Sequence, residues 1–283
     1  MMQFHVRSEM SYRVLKPSTI ILNIHALRTS NQTILSETFQ VKPSIRCEEF
    51  QSVSGENRFV RLDTGKAKEL LVSYNATVQT HPTIISRKDM EAVPISQLNQ
   101  SVIPYLFPSR YCQSDRVGRL AWKIFGDLSH PYQKVVAISD WIFENVEYLR
   151  GFTNSETSAY DTITQRAGVC RDFAHLGITL CRALTIPARY FSGYASHLEP
   201  PDFHACFEAY IGNRWFIFDP TRLAPLNGLV KIAAGRDAAD ASVASLFGWV
   251  QGGDIQVSCK PAVSGFKPWT HRQSTQRGLS LDG

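Results

Sequence analysis

The chain contains no run approaching the roughly 18 uncharged apolar residues that a membrane-spanning helix needs, so no membrane partner is predicted. Residues 1–9 lack the apolar segment of a secretion signal. Its cysteines, at positions 47, 112, 170, 181, 206 and 259, form neither a CxxC zinc pair nor a regular disulfide framework. These absences together predict a cytoplasmic protein with reduced thiols. Lys and Arg are scattered, the net charge is only +5, and no basic run interleaves with aromatics, which excludes the dense cationic footprint of nucleic-acid binding. Gly-rich phosphate loops and internal repeats are also missing, and no cofactor or metal is expected.

What is present suits a globular protein. The 283 residues are 43% hydrophobic, enough to bury a sizeable core, and the length suggests two domains. The first hundred residues read as short strands: Phe4 to Arg7 and Leu71 to Val78 alternate apolar and polar. Thr19 to His25 and Asn57 to Leu62 are rich in β-branched and aromatic residues. Turn signals at Ser54-Gly55-Glu56-Asn57 and Asp63-Thr64-Gly65 separate them, and together they predict an antiparallel β-sandwich. No catalytic cluster stands out in this region.

The Pro-containing stretch from Ile103 to Ser109 marks a boundary, dividing the chain into 1–104 and 105–283. Helical spacing follows. Ser114 is a candidate cap for a helix burying Val117, Leu120, Ala121, Ile124, Phe125 and Leu128. Pro131 opens a second helix, whose stripe is Val135, Ile138, Ile142, Val146 and Leu149. A third starts near Cys170, with Phe173, Leu176, Leu180, Cys181 and Leu184 on one face and Asp172, His175, Thr179 and Arg182 on the other; Pro187 stops it. Strand periodicity then returns over 188–194, 204–211 and 215–219, so the fold class is α+β. The polar tail from Lys260 onward is expected to be weakly ordered.

Cys170 comes directly after Arg166-Ala167-Gly168-Val169, where Gly168 permits a tight turn. A thiol in the first turn of a helix feels the positive end of the macrodipole and unpaired N–H groups, which favour a thiolate and can hold an oxyanion. Alone, such a cysteine can equally be structural. Downstream, Gly212-Asn213 suits a two-residue hairpin turn. If Ile211 pairs with Arg214, Cys206 faces Asp219 and His204 faces Thr221. His204 and Asp219 then become diagonal neighbours on one sheet face, about 7–8 Å apart at the backbone. A one-residue slip would separate them. That pair suits a base and the carboxylate that orients it. His204 alone can be an ordinary strand histidine, and Asp219 a turn aspartate before Pro220.

The segment Gly168-Val169-Cys170-Arg171-Asp172-Phe173-Ala174-His175-Leu176 resembles the cysteine motif of the bacterial transglutaminase-like superfamily. Ile186 to Tyr190 and Ser192-Gly193-Tyr194 are similar to the segment that follows it there. Asp202-Phe203-His204-Ala205 and Phe218-Asp219-Pro220-Thr221 resemble the histidine and aspartate motifs, in the same order. Tyr105 to Cys112 and the β-rich N-terminal region also look familial. The resemblance implies a papain-like catalytic domain with a Cys170-His204-Asp219 triad and a thioester acyl-enzyme on a peptide or protein substrate. Water as acceptor makes a peptidase or amidase, the favoured reading; a primary amine makes a transglutaminase. A non-catalytic binding module on the same scaffold is the third reading. Cys206 departs from the family, where a large aromatic often follows His-Ala, and puts the pocket's shape in question. Asp172 and His175 are read as scaffolding, paired with each other or with Arg189.

Overall fold

The computed structural model describes residues 1–53 and 57–282; the turn expected through Ser54, Gly55 and Glu56 lies outside them. Six strands open the chain: β1 (Met2–Val14), β2 (Thr19–Leu22), β3 (Gln32–Lys42), β4 (Arg46–Gln51), β5 (Arg58–Asp63) and β6 (Glu69–Thr80). Period-two burial holds along β1, where Phe4, Val6 and Met10 are buried and His5 and Arg7 are exposed. In β6 the buried set is Leu70, Val72, Tyr74, Ala76 and Val78.

After β7 (Thr83–Ser86) the proline-containing stretch forms a 3₁₀ turn at Ile103–Leu106. Helices α1 (Gly118–Phe125) and α2 (Pro131–Asn145), strand β8 (Glu147–Tyr148), helix α3 (Ala159–Gln165), strand β9 (Ala167–Gly168) and helix α4 (Cys170–Ala183) follow. Ser114 caps nothing: it opens a 3₁₀ turn, and α1 begins at Gly118. Only a narrow stripe of this two-turn helix, Ala121 and Phe125, reaches the core, leaving Leu120 and Ile124 exposed. His130 caps α2 by accepting from the Tyr132 N–H at 3.2 Å, and Val135, Ile138 and Ile142 are buried. Leu149 lies beyond the end of α2 and is exposed, because the chain turns into β8.

The face of α4 that carries Asp172, His175, Thr179 and Arg182 is as deeply buried as its apolar face. A helix enclosed on all sides must satisfy its polar groups internally. Arg182 does so by donating to the carbonyls of Phe107 (2.9 Å), Ala188 (3.0 and 2.8 Å) and Arg236 (2.6 Å). The helix packs on an antiparallel sheet made of β10 (Ala188–Ala195), β11 (Phe203–Ile211), β12 (Arg214–Phe218) and β13 (Leu229–Gly235), in the order β12-β11-β10-β13. Contact is close at Gly177, where an added Cβ would lie 2.5 Å from the Phe207 ring.

The chain then returns to its beginning. Strand β14 (Ala244–Phe247) pairs with β2, and β15 (Val250–Pro261) runs antiparallel along β1 from Phe4↔Pro261 to Val14↔Val250. The two N-terminal sheets therefore read β15-β1-β6-β3 and β14-β2-β5-β4. A cut between residues 104 and 105 would leave the outermost strand of each on the other side. The tail, expected to be loose, is built into the molecule: helix α5 (His271–Ser274) leads to β16 (Arg277–Ser280), which pairs with β7. Leu279 and Leu281 there are each 1% exposed, so their burial holds the end of the chain in place. The architecture is α+β, with a β-rich N-terminal region followed by helices and an antiparallel sheet.

Candidate active site

Cys170 is the first residue of α4, entered through an extended Val169. Asp172, at the third helical position, accepts from the Val169 N–H (2.9 Å) and from the Thr153 hydroxyl (2.6 Å), with the Arg171 guanidinium alongside at 3.3 Å. A carboxylate there satisfies an otherwise orphaned donor and opposes the positive helix end, fixing the turn that carries the thiol. Gly168 is needed for close approach, since a Cβ would sit 2.7 Å from the Asp172 Cβ. The parallel bridge between β8 and β9 sets Tyr148 opposite Gly168. Its phenol lies against the backbone amide of Cys170, and burial raises its pKa, with the thiol adding to the effect.

All six cysteines are free; Cys170 is partly accessible, Cys47 is exposed, and Cys112, Cys181, Cys206 and Cys259 are buried.

The hairpin forms in the expected register. Gly212 (φ 57°) and Asn213 (φ 61°) both take left-handed backbone conformations, as a tight primed turn requires. Ile211 pairs with Arg214, and the ladder continues to Phe207↔Phe218. Beyond its end His204 and Asp219 meet: Nε2 and Oδ2 are 2.8 Å apart, with the two side chains 1% and 2% exposed. The other oxygen of Asp219 accepts from the N–H (3.0 Å) and hydroxyl (2.7 Å) of Thr221. Burial opposes charge on His204, but the Asp219 carboxylate outweighs it and holds the imidazole well above its ordinary pKa. The neighbouring thiols of Cys206 and Cys170 add to this. Burial likewise opposes charge on Asp219, and the His204 charge and the Thr221 donors overcome it, lowering its pKa. Nδ1 of His204 is buried with no conventional hydrogen-bond partner among the described residues, so it is the ring nitrogen open to proton exchange. The three residues singled out on sequence are thus brought together.

Cys206 is the fourth member of this cluster. Its sulfur, a His204 nitrogen and an Asp219 oxygen all lie within 4.8 Å of one another. Burial pushes the Cys206 thiol up to about 12, so near neutral pH it stays protonated, and the accessible thiol is Cys170. Behind Asp219 opens a cavity of about 250 Å³, whose walls include Phe218, Arg222, Leu226, Trp269 and His271.

Asp172 and His175 do not pair with each other or with Arg189. Asp172 is consumed at the start of α4. His175, nearly one turn on, accepts from the Ala238 N–H at 3.1 Å and stacks on Tyr111 with ring centroids 4.9 Å apart. Arg189 bonds Glu208 at 2.6 Å and Asp282; Lys231 joins the same cluster, 2.9 Å from Glu208 and 2.7 Å from Asp282. Tyr148 and this buried ion cluster went unseen on sequence, because both are assembled from segments distant in the chain.

Residues 2–101 match the family model of the bacterial transglutaminase N-terminal domain, and residues 118–220 match that of the transglutaminase-like superfamily. A crystal structure from Cytophaga hutchinsonii, of a protein classed provisionally as a cysteine protease, superposes with a TM-score of 0.96 at 56% identity. The match covers 99% of this chain and 98% of that one. Among curated proteins, ML0607 of Mycobacterium leprae is 34% identical over 122 residues, which is 39% of this chain and 42% of that protein. YebA of Bacillus subtilis is 24% identical over 213 residues, 66% of this chain and 28% of its own length. The aligned segments thus span less than half the length of both curated relatives.

Proposed function

The chain belongs to the transglutaminase-like superfamily, and from that premise we propose that it is a cysteine-dependent hydrolase of peptide or isopeptide amide bonds. The observation that carries this reading is the buried 2.8 Å contact between His204 and Asp219, set beside a partly accessible thiol at a helix N-terminus. The provisional assignment of the C. hutchinsonii relative as a cysteine protease supports it.

In this reading Cys170 attacks the amide carbon as a thiolate, its proton having passed to His204. Asp219 stabilises the imidazolium and fixes the ring's orientation. Negative charge develops on the carbonyl oxygen, where the Cys170 amide and the Tyr148 phenol donate to it. The C–N bond then breaks as His204 gives its proton to the departing amine, leaving a thioester on Cys170. Water, deprotonated by His204, attacks the thioester, and the carboxylic acid leaves as the thiol is restored. Cys206, protonated and enclosed, takes no part in these steps.

The test uses the intact chain with amide substrates, in the presence and absence of a labelled primary amine. Wild type should release amine and carboxylate, and Cys170→Ala should lose turnover yet keep the native melting profile. His204→Ala should lose turnover and also melt lower, because it leaves Asp219 buried without its partner. Turnover retained in Cys170→Ala would refute the reading. Predominant incorporation of the labelled amine would replace hydrolysis with transamidation.

A further inference from the structure

We propose that Cys206, His204 and Asp219 also form an inhibitory site for a zinc-class divalent cation. The argument starts from the donors. A sulfur, an imidazole nitrogen and a carboxylate oxygen form a mixed soft and borderline set that suits zinc and disfavours calcium or magnesium. All three belong to buried residues and lie within 4.8 Å of one another. Tetrahedral zinc, with ligands at about 2.0–2.3 Å, spaces its donors roughly 3.3–3.7 Å apart. The 2.8 Å contact between His204 and Asp219 must therefore open by about half an ångström, while the sulfur closes in by about an ångström at most.

Charge also balances. A Cys206 thiolate and the Asp219 carboxylate cancel the double charge of the ion, which a buried site needs. Binding releases the thiol proton and the proton shared by His204 and Asp219. Asp219 is already anchored through its other oxygen by Thr221, so Oδ2 can turn to the metal while the carboxylate keeps its place. Of the three donors Asp219 borders the cavity of about 250 Å³, whose walls also carry Asp140, His197 and His271. Cys206 otherwise packs beside Phe191 and Ile217, where a methyl group would serve packing alone. Metal binding itself does not depend on the hydrolase reading. Its consequence does: an ion on His204 takes the base away from Cys170.

The experiment titrates the intact chain, in a thiol-free reductant, with Co²⁺ and follows thiolate-to-cobalt charge-transfer absorption. Wild type and Cys170→Ala should each take up one Co²⁺ with a thiolate band that Zn²⁺ displaces. Cys206→Ala and the bulkier Cys206→Ser should lose the band and bind at least ~100-fold more weakly. Iodoacetamide labelling of Cys170 gives an independent readout. It should slow at least tenfold with Zn²⁺ in wild type and by less than about twofold in the Cys206 variants, whose unchanged labelling without metal shows the pocket intact. Failure to take up one equivalent of Co²⁺ would overturn the proposal. So would a band that survives in Cys206→Ala and vanishes in Cys170→Ala, which would put the metal on the accessible thiol.

Discussion

Glu208→Gln tests the buried ion cluster that ties the hairpin sheet to the end of the chain. Arg189, Glu208 and Lys231 come from β10, β11 and β13, and Asp282 comes from the C-terminal segment. Among the described residues two cations face two anions, with side-chain exposures of 4% for Arg189, 0% for Glu208, 1% for Lys231 and 21% for Asp282. Glu208 receives both cations, at 2.6 Å from Arg189 and 2.9 Å from Lys231. The amide keeps its shape but removes its charge, so among the described residues Asp282 is the carboxylate left beside the two buried cations. Removing one partner of a buried ion pair costs about 3–5 kcal/mol. At roughly 2–4 °C per kcal/mol for a chain of this size, Tm should fall by about 10 °C. Adding Lys231→Met removes one charge of each sign and leaves Arg189 with Asp282, so the double variant should recover at least ~2 kcal/mol of that loss. Urea and thermal unfolding of the three variants and wild type close the cycle. A loss below about 1 kcal/mol for Glu208→Gln, or a double variant no more stable than Glu208→Gln, would refute the reasoning.

Tyr148→Phe should lower kcat about 100-fold with KM nearly unchanged, as expected for an oxyanion donor, and unchanged kcat on a validated amide substrate would remove Tyr148 from that role. Stability should also fall in mild acid. Burial, with the nearby Arg58 adding to it, lowers the His25 pKa from 6.5 to about 4. The unfolded chain therefore takes up this proton first, so the contribution is full above pH 6.5 and is lost on the way down to about pH 4, roughly 3 kcal/mol in all. Urea midpoints for wild type and His25→Gln across that range should show a shallower slope in the variant; an unchanged slope would assign the acid sensitivity elsewhere.

The hairpin was legible because its information is local. A Gly-Asn turn sets the register, and the register alone brings His204 to Asp219. Cys170 at the start of a helix was equally plain from Gly168 and the periodicity after it. Helical periodicity misplaced Leu120, Ile124 and Leu149, because it shows which residues share a face and not how much of that face another element covers. The same blindness made Asp172, His175 and Arg182 look like a simple polar face, although the molecule closes over them. Nothing near Val250 signals that its strand pairs with one ending at Val14, and nothing near Tyr148 signals Cys170. Such pairings depend on topology, and a single sequence carries little of it.

The return of β14 and β15 to β2 and β1 bears on how the molecule is made. During synthesis the first sheets cannot acquire their outer strands until residue 261 has left the ribosome, so β1 waits with one edge open while most of the chain is added. Contacts that span some 240 residues close slowly, and an open strand edge is prone to pair with other chains in the meantime. Nascent chains stalled before residue 244 should therefore be sensitive to protease and held by chaperones, and emergence of residues 244–261 should convert the N-terminal sheets to a resistant form in one step.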